Sequence, residues 1–237
     1  MESDHVKFLK KALVSVAAVA ATAALMPAAT ADAAPRATIG GGSGIIVGGN
    51  ALCTLTTIGH DRAGRLVGLT AAHCGNLGAS IRSERNPGAG VLGTIATKGA
   101  SLDVAVIVFN PARTRAVRQV GRARITGVGT YPRPYATVCK SGRTTGYTCG
   151  PTLSKSRVDT ISYVCADHGD SGGPIIVGRR VVGMLNGGVR IAGAGTPSIP
   201  CLTPAVPIHS PIVATKMTTI LAALNRTNFA GSGFRPL

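Results

Sequence analysis

Six residues, Gly169-Asp170-Ser171-Gly172-Gly173-Pro174, set the strictest terms for this 237-residue chain. One serine stands among three glycines, with an acid before it and a proline closing the string. Glycines let the backbone turn tightly and bring its N–H groups close to whatever lies beside them. A serine on such a turn presents its hydroxyl outward, and neighbouring amides are free to bind an oxygen that gains negative charge. The next residues, Ile175-Ile176-Val177, are β-branched and read as a strand. A glycine-rich turn holding a solvated serine would spell the same six letters, so the rest of the chain must decide.

Gly-x-Ser-x-Gly also describes the nucleophile elbow of α/β-hydrolases, which needs a helix after the serine and then an acid and a histidine downstream. No Asp or Glu follows Ser171. Upstream lie Thr70-Ala71-Ala72-His73-Cys74 and Ser101-Leu102-Asp103-Val104-Ala105-Val106-Ile107-Val108. A carboxylate entering so apolar a run is costly unless it is hydrogen-bonded or paired. The order His73, Asp103, Ser171 resembles that of the chymotrypsin-type proteases.

Apolar residues make up 45% of the chain, Gly is abundant and aromatics are scarce. Short β-branched runs between Gly and Pro signals favour an all-β fold. The net charge is +16, and the three lysines and three acids of residues 1–33 cancel, so the excess falls beyond them. Such a surface would attract acidic polymers of a cell envelope. No basic run with aromatic platforms points to specific nucleic-acid binding. Residues 1–33 read as a signal peptide: Lys7, Lys10 and Lys11, then apolar residues from Ala12 to Met26, then Ala31-Asp32-Ala33 as an A-x-A cleavage site. The apolar part is shorter than the roughly 20 residues of a spanning helix. The expected location is outside the cell or on its envelope. All six cysteines lie beyond the signal, an even count that implies disulfides whose pairing spacing leaves open.

Residues 34–44 read as a short flexible connector. The stretch Cys53 to Gly59 reads as a strand, followed by a polar turn and the returning strand Leu66 to Thr70, which delivers His73. Cys53 and Cys74 flank that hairpin and could close it. His60 and His209 have no catalytic string around them. Residues 111–134 read as a linker. From Ser210 as an N-cap and Pro211, the apolar spacing of Ile212, Ile220, Leu221 and Leu224 predicts a short terminal helix, with residues 226–237 loose behind it.

The second half opens on Val138-Cys139-Lys140-Ser141-Gly142-Arg143 and runs to Cys149-Gly150. This string resembles the disulfide-closed hairpin of secreted bacterial chymotrypsin-like proteases, the streptogrisin and α-lytic protease branch. The likeness extends over residues 45–225. It implies two six-stranded antiparallel β-barrels, residues 45–120 with His73 and Asp103 and residues 121–237 with Ser171, plus a short C-terminal helix. It also implies disulfides Cys53–Cys74, Cys139–Cys149 and Cys165–Cys201. By the same likeness Ser171 is the nucleophile, His73 the general base and Asp103 its orienting partner. The amides of Gly169 and Ser171 form the oxyanion hole, and His168, Leu185, Asn186, Gly187 and Gly188 line the substrate site. Lys140 is the partner of Asp170, with Arg143 as runner-up. No metal or cofactor is implied, and a monomer acting on polypeptides is expected.

Three departures stand out. Members of that branch carry a long pro-region, whereas about a dozen residues separate the signal from Ile45. They usually have a serine where Asn186 stands. Ile46-Val47-Gly48-Gly49 resembles the end that animal zymogens free by a cut, yet Ser43-Gly44, not Lys or Arg, precede Ile45. The position that selects Lys or Arg in trypsin-like enzymes, six before the nucleophile, holds Cys165, so small-to-medium apolar residues are the expected preference. Asp167 and His168 keep a charged preference open. A protease-fold envelope-binding protein without activity is the competing reading.

Overall fold

The computed structural model describes residues 35–99, 101–189 and 198–237. The signal peptide expected at 1–33 lies outside them, as do residues 190–197. Among the described residues, no helix is long and apolar enough to cross a membrane.

The fold follows from strands that bury both faces. Along 104–109, Ala105, Ile107 and Phe109 enter one core, while Val104 and Val106 enter another. Successive side chains of a strand point to opposite faces, so a run apolar at every position marks a strand covered on both sides. The same alternation recurs in the second half. Ile175, Val182 and Leu185 point into its interior, and Ile176, Val181 and Met184 into the core shared with the terminal helix. Asp103 and Ser171 stand just ahead of two such strands, Ala105–Phe109 and Pro174–Val177.

In the second half six strands close into an antiparallel barrel. They are Thr137–Gly142, Gly146–Lys155, Asp159–Ser162, Ile212–Lys216, Arg180–Gly188 and Pro174–Val177, each paired to the next and the last to the first. The first half is a sheet that does not close. Its order runs from Arg235–Pro236 through Thr57–His60, Leu66–Thr70, Ala105–Phe109, Val91–Lys98, Ser80–Ser83 and Gly44–Val47 to Ala51–Thr54. The expected second closed barrel is therefore a half-barrel. The stretch Cys53 to Gly59, read as one strand, is broken at Leu55-Thr56. There the amides of Thr54, Leu55 and Thr56 donate to Ser171, Ser43 and Leu69 rather than to one neighbouring strand.

Four further expectations are corrected. The terminal helix is Met217–Asn225, and Ile212–Lys216 ahead of it is a strand, because its backbone closes the barrel between Asp159–Ser162 and Gly183–Gly188. Ser210 does not cap that helix; its hydroxyl accepts the Ile199 amide at 2.9 Å. The tail is docked: Ala230 and Phe234 are buried, and Arg235–Pro236 pairs with Gly59–His60. Within the connector expected at 34–44, the described residues 35–44 are not flexible, since Ala37–Ile39 forms a strand parallel to Thr114–Ala116 with Ala37 and Ile39 fully buried. The division at 120/121 falls inside a small hairpin, Gln119–Val120 with Ala123–Arg124.

Candidate active site

Strand Leu66–Thr70 ends in a short 3-10 turn, Ala72–Cys74, that holds His73. Disulfide Cys53–Cys74 ties this turn to strand Ala51–Thr54. Asp103 meets His73 twice: Oδ1 accepts the His73 amide at 2.9 Å, and Oδ2 accepts Nδ1–H at 2.7 Å. Backbone and ring are thus fixed to one carboxylate, which leaves Nε2 as the open nitrogen. Burial alone would raise the Asp103 carboxyl, but bonds from His73 and Asn186 outweigh it and hold the group below the usual carboxylate range.

Asn186 takes the place of the expected serine. Its Nδ2 donates to Asp103 Oδ2 at 2.9 Å and to the Asp103 carbonyl at 3.2 Å. Its Oδ1 accepts the Thr215 amide at 2.8 Å, so the amide group is held from both ends. The longer side chain keeps the bond to Asp103 without breaking the contact between Asp103 and His73.

Ser171 sits on a turn whose carbonyls are gripped from the first half. Thr54 N–H donates to Ser171 O at 2.8 Å, Thr54 Oγ1 to Gly169 O at 2.9 Å and Thr56 Oγ1 to Gly172 O at 2.6 Å. Gly172 has φ +82° and abuts Thr54 O and Thr70 Oγ1, so neither its conformation nor its surroundings admit a side chain. The amides of Asp167, His168, Asp170, Gly172 and Gly173 each donate to a protein acceptor. Among the described residues, those of Gly169 and Ser171 have no such acceptor. Unpaired amides on so tight a turn are the groups an oxyanion would use.

Ser171, His73, His168, Leu185, Asn186, Gly187 and Gly188 line one cavity of about 380 Å³. Among the described residues no hydrogen bond joins Ser171 Oγ to the His73 ring; in substrate-free sites such contacts are commonly long. Ala166, Asp167, Ser198, Ile199, Pro200, Ser210 and Ile212 complete the wall. Those beyond Gly188 were not read as site residues. Their one signal is Cys201, whose disulfide to Cys165 folds that loop over the pocket. Larger cavities of about 620 and 510 Å³ lie beside Glu84 and Arg143 and beside His60 and Phe234, away from His73 and Ser171. Chemistry, not size, marks the site. Sulfurs of Cys53 and Cys74 lie near the His73 ring but are spent in their disulfide.

Serine protease 2 of Streptomyces fradiae is 32% identical over 168 residues, 63% of this chain and 94% of that protein. The chain belongs to the bacterial chymotrypsin-fold serine proteases. They are serine-type endopeptidases. Streptogrisin-C of Streptomyces griseus is 31% identical over 139 residues, 53% of this chain, and the match spans 30% of the length of that relative. The Nocardiopsis protease structure superposes with a TM-score of 0.61 at 24% identity, covering 82% of this chain and 98% of that one, and so shares the fold. No protein-family model matches the chain.

Within this bacterial protease fold, Asp170 is fully buried against Lys140, with Nζ 2.9 Å from Oδ2. Oδ1 also accepts the amides of Thr144 and Thr145, and Oδ2 the Thr145 hydroxyl and the Asp167 amide. Lys140 spends its other protons on Gly146 O and Thr145 Oγ1. Burial pushes the Asp170 carboxyl up, but the Lys140 charge and these bonds win and hold it low. Arg143 reaches Glu84 instead, Nε to Oε2 at 2.8 Å and Nη2 to Oε1, bridging the two halves. Hairpin disulfide Cys139–Cys149 stands beside Lys140.

Proposed function

We propose that this protease is secreted and cleaves polypeptides through an acyl-enzyme on Ser171. The observation that carries the reading is the His73–Asp103 contact at 2.7 Å opening onto the cavity that holds Ser171. Ser171 Oγ attacks the scissile carbonyl while His73 Nε2 takes its proton. The amides of Gly169 and Ser171 bind the oxyanion, each donor contributing about 2.7–4 kcal/mol. His73 then hands the proton to the leaving amine, and water repeats the sequence on the ester. Asp103, held by Asn186, keeps the imidazole oriented and stabilises its charged form.

The pocket takes a small-to-medium apolar residue before the scissile bond, on walls supplied by Leu185, Ile199 and Ile212. Residues 45–120 and 121–237 act as two halves with the site at their seam. Lys140 supplies the counter-charge that animal enzymes obtain from a freed N-terminus. The three disulfides suit an oxidising compartment outside the cell. Exposed Arg118, Arg122, Arg124, Arg179 and Arg180 suit acidic envelope polymers. A peptide library tests the substrate reading. Cleavage after small-to-medium apolar residues, lost in Ser171→Ala, is expected. Strict cleavage after Lys or Arg would overturn the pocket assignment, and no cleavage at all the endopeptidase reading.

A further inference from the structure

We propose that residues 36–43 are a brace that positions the nucleophile turn, so that a cut ahead of Gly44 or Ile45 weakens the enzyme instead of activating it. This rests on the protease reading above.

The segment is built into the fold. Arg36 Nη2 donates to the carbonyls of Pro111 and Thr114, both at 2.9 Å. Ala37–Ile39 runs parallel to Thr114–Ala116, and Ile39 O accepts the Val117 amide at 2.9 Å. The chain then turns, with Ser43 N–H donating to Gly40 O at 3.0 Å. Gly42 has φ +90°, and any Cβ there would strike the Ser141 hydroxyl, next to Lys140.

What the turn reaches is Leu55. Gly42 N–H donates to Leu55 O at 2.8 Å, and Leu55 N–H donates to Ser43 O at 2.9 Å. Both backbone groups of this buried residue are thereby satisfied by the segment. Its neighbours Thr54 and Thr56 are the residues that grip Gly169, Ser171 and Gly172. The segment therefore continues the pairing of Gly44–Val47 with Ala51–Thr54 one residue further, to Leu55, and it stands directly behind the grip on the turn. Losing it would leave two polar backbone groups of Leu55 unpaired and free the tripeptide 54–56 to shift. A shift of about 1 Å in a positioning element can cost on the order of 100-fold in rate. Zymogen logic gives the opposite sign, since there the cut organises the turn.

The test compares the full chain with a chain lacking residues 35–43, its leader joined directly to Gly44. Turnover of a peptide substrate and the rate of Ser171 labelling by a serine-directed phosphonate are measured on both. The shortened chain is expected to lose kcat by about 100-fold with KM little changed. A synthetic peptide of residues 35–43 should restore part of it. Should the shortened chain not fold, Gly42→Ala in the full chain decides, and it should lower kcat at unchanged KM and unchanged disulfide content. Equal or higher kcat in the shortened chain, or wild-type kcat in Gly42→Ala, overturns the brace while leaving the protease intact. Absence of labelling in both full and shortened chains would instead remove the protease reading, and the brace with it.

Discussion

Two carboxylates of the site region, Asp103 and Asp170, each meet a nitrogen-bearing side chain, and the two pairs differ in exposure. His73 and Asp103 meet at 2.7 Å with side chains 47% and 32% exposed. Lys140 and Asp170 meet at 2.9 Å with both at 0%. The open pair keeps one ring nitrogen facing the cavity, so its charge can change during a reaction. The closed pair has no such freedom: every proton of Lys140 and both oxygens of Asp170 are engaged within the hairpin and the turn. In the function proposed above, one pair serves chemistry and the other holds the turn on which the chemistry is done.

Breaking the open pair should have the largest effect. Ser171→Ala and His73→Ala are each expected to lower kcat by about 10⁶ while the protein stays folded, as read by peptide turnover and circular dichroism. Asp103→Asn should cost about 10⁴ in kcat, since the amide favours the wrong imidazole tautomer.

The closed pair should answer in stability first. Lys140→Met leaves a buried carboxylate without its counter-charge, and denaturant unfolding should register a loss of about 3–5 kcal/mol, with turnover falling as the turn distorts. Arg143→Met removes a partly exposed pair with Glu84 and should cost about 1 kcal/mol or less. An Arg143 variant that lost more than the Lys140 variant would reverse the comparison. The pH dependence carries the same contrast. Asp170 has its carboxyl held low in the folded protein, so its contribution is present above the ordinary carboxylate range of about 4 and is lost as pH falls below it. In Lys140→Met the carboxyl rises, and that acid limb of the stability profile should vanish.

A smaller effect separates positioning from chemistry. Asn186→Ala removes one hydrogen bond to a carboxylate, about 1.5–3 kcal/mol, or roughly 10- to 100-fold in kcat at unchanged KM. Asn186→Ser, with its shorter donor, should recover part of that loss.

Both contacts were reached from the sequence through its resemblance to the bacterial branch, because the residues lie in strings that carry that likeness. His73 has Thr70-Ala71-Ala72 before it, Asp103 opens an apolar run, and Lys140 follows the first hairpin cysteine. The segment 35–44 was not legible, because its buried side chains, Ala37 and Ile39, lie on a strand paired with Thr114–Ala116, over seventy residues away, and a glycine-rich string reads as flexible. The strand Ile212–Lys216 was hidden by a coincidence of period: Ile212, Ile220 and Leu224 fit a helix, yet closure of the barrel claims the first of them. The docked tail depends on the Gly231 amide finding buried Asp61, which no local pattern announces.

The most direct measurement is covalent labelling of the folded, disulfide-intact protein with a serine-directed phosphonate, followed by mass mapping. One adduct, on Ser171, absent in Ser171→Ala and strongly slowed in His73→Ala, is the expected result. A folded wild-type protein that stays unlabelled, or carries its adduct on another serine, would contradict the assignment of Ser171 as nucleophile.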